Sequence, residues 1–128
     1  MKAWTPLTLA LALGVAVQAH AECTYPKAPE APPDGNTATK DQMIAAKHDF
    51  DRYNGEMNAY LDCLKLEIDA ATPKDASKLK PDEKKKADEQ QKILVQKNNA
   101  AVDELQAVVG RFNEQLKLFK AKAAAGKS

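Results

Sequence analysis

Few side chains in this sequence have chemistry to offer. Cys23 and Cys63 stand forty residues apart, His48 follows the first helical cap signal, and carboxylates and lysines are scattered along the chain. The cysteine spacing fits no metal or haem-attachment pattern, and no Cys-x-x-Cys occurs, which argues against a redox catalyst. His48 has Asp51 three residues on, but a nucleophilic triad or a zinc site needs more partners than that pair. Asp41, Asp62 and Asp69 share an outer helical row with His48, and no Asp-x-Asp-x-Asp-Gly calcium loop is present. Paired carboxylates for glycoside hydrolysis require a cleft, which a helical hairpin does not supply. No catalytic, cofactor-binding or metal-ligating residue is therefore assigned, no cofactor is expected, and the chain reads as non-enzymatic.

The first residues explain the cysteines. Lys2, an eleven-residue apolar run from Leu7 to Val17, and Ala19-His20-Ala21 make a secretory signal cleaved after Ala21. The run is too short for a spanning helix, which needs roughly 20 apolar residues. Glu22, immediately before Cys23, argues against lipidation, which wants a small residue there. Export places the two cysteines in an oxidising compartment, where an intramolecular disulfide is the simplest reading; free or intermolecular thiols are the alternative. Loss of residues 1–21 leaves 107 residues and removes Lys2, taking Lys and Arg from 19 to 18 against 18 Asp and Glu. A formally neutral chain has no field to gather nucleic acid. Trp4 leaves with the signal, and the six remaining aromatics suit an elongated helical packing better than a thick core.

The elements that would position these residues follow from local signals. Residues 22–38 hold Pro26, Pro29, Pro32 and Pro33, then Asp34-Gly35-Asn36, which predicts an extended arm ending in a turn. Thr39-x-x-Gln42 is a capping box and opens a helix over 39–72, stopped by Thr72-Pro73. Its stripe, Met43, Phe50, Met57, Leu64 and Ala71, repeats by sevens, with Ala46, Tyr53, Tyr60, Leu61 and Ile68 beside it. A connector spans 73–81, and Pro81, Asp82 and Glu83 suit the start of a helix over 82–120. A flexible tail is expected over 121–128. The fold class is all-α: a long antiparallel two-helix hairpin whose Pro-rich arm is tied back by a Cys23–Cys63 disulfide.

A turn centred near residues 76–77 would set Met43 level with Gly110 and Cys63 with Gln90, leaving Leu116 and Phe119 to overhang. The arm can cover them. Cys63 lies about 36 Å of helix from Thr39, and the 16 residues from Cys23 to Thr39 reach roughly 50 Å as polyproline. Closing that loop is worth roughly 4 kcal/mol in the chain-entropy model.

The second helix carries three apolar rows, wider than one partner helix covers: Leu94/Val95, Ala101/Val102, Val108/Val109 and Gln115/Leu116, with Leu105, Phe112 and Phe119 alongside. Val95, Val102, Val109, Leu116 and Phe119 are the expected interaction face, for an unknown protein partner or for self-association as a homodimer. Asn98 either fixes register there or is solvated. Gly55 and Gly110 are tolerated mid-helix glycines. Lys84, Lys85 and Lys86, with Lys74, Lys78 and Lys80, make the turn end basic; this would give a weak contact with anionic lipid or cell wall, or simply keep a long helix soluble.

Cys23-x-x-Pro26, Pro32-Pro33-Asp34-Gly35, Met43, Tyr53, Tyr60-Leu61-x-Cys63 and Arg111-Phe112-Asn113 together resemble small exported, uncharacterised helical proteins of Gram-negative bacteria. These share a Pro-Asp-Gly arm and a Cys near the end of the first helix. The resemblance covers most of the chain after residue 21 and implies a periplasmic setting with no attached activity. The Leu-Thr-x-x-Gln repeats of one periplasmic chaperone family are absent.

Overall fold

Helix α1 begins where the sequence supplies a cap. The Thr39 hydroxyl accepts from the Gln42 N–H at 3.2 Å, and Gln42 Oε1 accepts from the Thr39 N–H at 2.8 Å. The pair satisfies two of the donors that a helix start leaves open. α1 is Lys40–Ala71. At its end the Thr72 N–H and hydroxyl both donate to the Ile68 carbonyl, and Pro73 prevents continuation. A 3-10 turn, Ala76–Lys78, follows, capped by Asp75, whose carboxyl is held below its usual range by Lys78 and Ser77. Helix α2 is Pro81–Ala125, opened by proline at its first position and by Glu83 accepting from the Lys80 N–H at 3.0 Å. It continues through 121–125, where a flexible tail was expected, because alanine and lysine are good helix formers.

The computed structural model describes residues 22–126; the expected signal segment, residues 1–21, lies outside them, as do the last two residues. All regular structure among the described residues is helical, and α1 and α2 pack against each other. Tyr53, Met57, Tyr60 and Leu64 of α1 meet Leu94, Ala101 and Val108 of α2 in one cluster, with Phe50, Leu61 and Ile68 at its edges. The heptad row predicted for α1 is thus its inward face. Gly55 and Gly110 have no atom within 4 Å of where a Cβ would stand, so neither admits a close approach.

The register differs from the expected one. Phe50 stacks on Phe112 with ring centroids 4.8 Å apart, nine positions beyond the Asp103 that a symmetric turn would place there. Gln91 donates to the Thr72 hydroxyl at 3.1 Å. Met43 and Cys63 are accordingly not level with Gly110 and Gln90. The reason is in the composition of α2: from Pro81 to Lys92 it offers only Ala87 to a core, so the apolar stripes align with each other and the connector accommodates them. The overhang falls at the basic start of α2, not at Leu116 and Phe119.

Residues 22–38 form neither helix nor strand. Cys23 is bonded to Cys63, with Cα atoms 5.8 Å apart. Asp34 organises a turn: its carbonyl accepts from the Thr37 and Ala38 N–H groups, and its Oδ1 from the Asn36 N–H at 2.9 Å. Gly35 sits in that turn directly on α2. A Cβ there would collide with the Gln115 carbonyl and stand 2.8 Å from the Phe119 nitrogen.

The three glycines therefore respond oppositely to alanine. Gly55→Ala and Gly110→Ala should each raise stability by about 1 kcal/mol in urea denaturation. Gly35→Ala should lower it by about 1–3 kcal/mol. A neutral Gly35→Ala would mean that the turn is not seated on α2.

Candidate functional site

Two helices in contact leave a groove on each side of their seam, and in this chain the two grooves differ. One is occupied. Tyr25 sets its ring edge-on against Tyr60 of α1 at 5.0 Å, and its hydroxyl donates to Glu104 of α2 at 2.8 Å. Gly35, at the other end of the segment, donates its N–H to Gln115 Oε1 at 2.9 Å. Between them, prolines 29, 32 and 33 wall a cleft of about 490 Å³ floored by Phe50, Val108 and Phe112, with Asp49 and Arg111 at its rim.

At the fastened end three tyrosines gather around one carboxylate. Tyr53 is fully buried, and its hydroxyl has no hydrogen-bond partner. Burial first, then the Glu104 charge, push its pKa above the ordinary phenol value, opposed by Arg111. The Tyr25 pKa is raised too, by burial first and then by its hydrogen bond to Glu104 and the Glu104 charge. Both groups are held neutral, and Tyr25 donates.

Cys23, Cys63 and Glu67 bring three potential metal-ligand atoms within 4.8 Å of one another. The sulfurs are bonded together, so neither is the thiolate a metal would need. His48 is exposed, and Asp51, its neighbour on the helix, pairs with Lys47 instead.

The expected interaction face is divided. With about 100° between successive helical residues, Val95, Val102, Val109 and Leu116 lie on the flank of α2 opposite to Glu104 and Arg111, away from the N-terminal segment. Val95 is 40 % exposed, and the other three are half-buried. Phe119 does not share this flank. Its backbone lies under Gly35, because the turn that ends the proline-rich segment lands there. Asn98 is half-buried beside the open row, while Lys84, Lys85 and Lys86 are exposed and enter no ion pair among the described residues. Reasoning from the sequence missed Glu104, Gln115 and Tyr25 as the points where the segment is held. The inward heptad flank that carries Glu104 and Arg111 was the signal available.

No helix among the described residues is long and apolar enough to cross a membrane. No family model, curated protein or solved structure matches the chain.

The covalent tie closes a loop of about forty residues, so Cys63→Ser should lower stability by roughly 4 kcal/mol. Thermal and urea melts measure this. An unchanged midpoint would show that the tie does not hold the segment.

Proposed function

We propose that this chain is a non-enzymatic binding or scaffold module of the periplasm, an antiparallel hairpin with its proline-rich arm doubled back over one groove and its opposite flank free for a protein partner. The observation that carries the reading is the row Val95, Val102, Val109 and Leu116. Between Ile93 and Leu116 no charged residue lies within about 60° of that row; Asn98, Gln106 and Asn113 flank it instead, and Lys92 stands at its edge. On a helix whose other faces are dense with Lys, Glu and Asp, an uncharged half-exposed strip suits the buried centre of an interface, where charge is depleted. It would accept a partner helix laid along it, or an unfolded chain held in a chaperone-like way. A disulfide and the lack of a membrane-crossing helix among the described residues are compatible with a periplasmic setting.

Val102→Lys tests this. The side chain is only half-buried, so stability should change by less than about 1 kcal/mol. Capture of a partner from cross-linked envelopes should nevertheless be lost. A variant that retains whatever the unaltered protein captures would refute the reading.

The register supports a second reading, contact with an anionic envelope surface. The first turns of α2 extend beyond the end of α1, so Lys84, Lys85 and Lys86 stand on a projecting rod. Replacing all three with Gln should weaken sedimentation with anionic vesicles, most at low salt. Equal sedimentation by both proteins would dismiss it.

A further inference from the structure

We infer that the occupant of the open flank is a second copy of this chain, packed across a two-fold axis that passes between the two α2 helices at the height of Val102. The inference rests on the reading that this flank binds protein, and adds which protein and in what orientation.

The flank is nearly palindromic about Val102. Seven residues to either side stand Val95 and Val109; four to either side, Asn98 and Gln106; eleven to either side, Gln91 and Asn113. Two such helices laid antiparallel set valine on valine and amide on amide, and Val102 meets its own copy at the axis. Paired amides can donate to and accept from each other, so the half-buried Asn98 gains a partner that the single chain does not offer. A two-fold contact of this kind is closed and self-complementary.

Charge at the ends selects the direction. Asp88 lies fourteen residues before Val102 and Lys117 fifteen beyond it, both exposed and both at the border of the flank. Antiparallel packing brings each Asp88 level with the other copy's Lys117, whereas parallel packing would oppose Asp88 to Asp88 and Lys117 to Lys117. Lys84 and Lys120 also come level at the outer ends, with Asp88 one turn away to separate them.

Helix α1 agrees with the same axis. Since Phe50 stacks on Phe112, Leu61 lies at the height of Ala101 and Val102. Leu61 is half-buried on the open side of α1, with Ile68 two turns on. An axis at Val102 therefore passes Leu61 as well, and two pairs of helices close into a four-helix bundle whose proline-rich segments stay on the outside.

Sedimentation equilibrium of the purified protein across a dilution series tests the inference. A reversible dimer is expected. Val102→Lys sets two ammonium groups against each other on the axis and should weaken it at least about a hundredfold. Asp88→Lys or Lys117→Asp alone should weaken it about tenfold, since each rim pair occurs twice, and the double variant should recover the original constant. These rim positions are exposed, so the charge reversals remain decisive even if a lysine at 102 disturbs folding. A monomer at every concentration overturns the second copy as occupant. If Val102→Lys then still abolishes capture of an envelope protein, binding by this flank stands; if it does not, both readings fall. A dimer indifferent to all these changes would place the contact elsewhere and overturn the assigned axis.

Discussion

A pair of helices buries the strip where they touch and leaves its two edges open to water. Everything else in this structure depends on how one of those edges is closed. The covering segment has no regular structure of its own, and it is held at two separated points, the Cys23–Cys63 bond and the seat of Gly35 on α2. Beside its Tyr25 the Tyr53 side chain reaches complete burial. With few large side chains in the core, a loop closure worth roughly 4 kcal/mol is a large share of the 5–15 kcal/mol typical of a domain.

The fastening also carries polar groups inward. Tyr25 touches α1 through Tyr60 and α2 through Glu104, so it registers the segment against both helices at once. The neighbouring Tyr53 hydroxyl is left without a partner, a desolvation cost of about 1–3 kcal/mol. The ring contributes a large apolar surface in exchange, and its hydroxyl stays neutral beside the Glu104 charge.

Covering one edge makes the molecule two-sided. The covered side contains the tyrosines, the disulfide and a proline-walled cleft; the other contains valines, amides and no charge over the middle of α2. Lys84, Lys85 and Lys86 stand at the start of this long helix, apart from the valine row. One flank is thus covered by the chain itself, and the other is left open.

How much of this was legible in the sequence depends on the range of the forces involved. Thr39 with Gln42, Thr72 with Pro73, and Pro81 with Glu83 act over three or four residues, so the places where helices begin and stop could be read directly. The heptad row from Met43 to Leu64 marked the buried face, because burial follows helical periodicity. The Cys23–Cys63 pairing could be read from the presence of two cysteines behind an expected export signal. The register could not be read, since it is set by Phe50 finding Phe112 across sixty residues of chain and not by the midpoint of the connector. Nor could the side on which the segment lies, which depends on Gly35 lacking a side chain at the one place where α2 comes too close for any other residue. Local hydrogen bonding and periodicity are written along the chain; the choice between the two grooves is made only when distant surfaces meet.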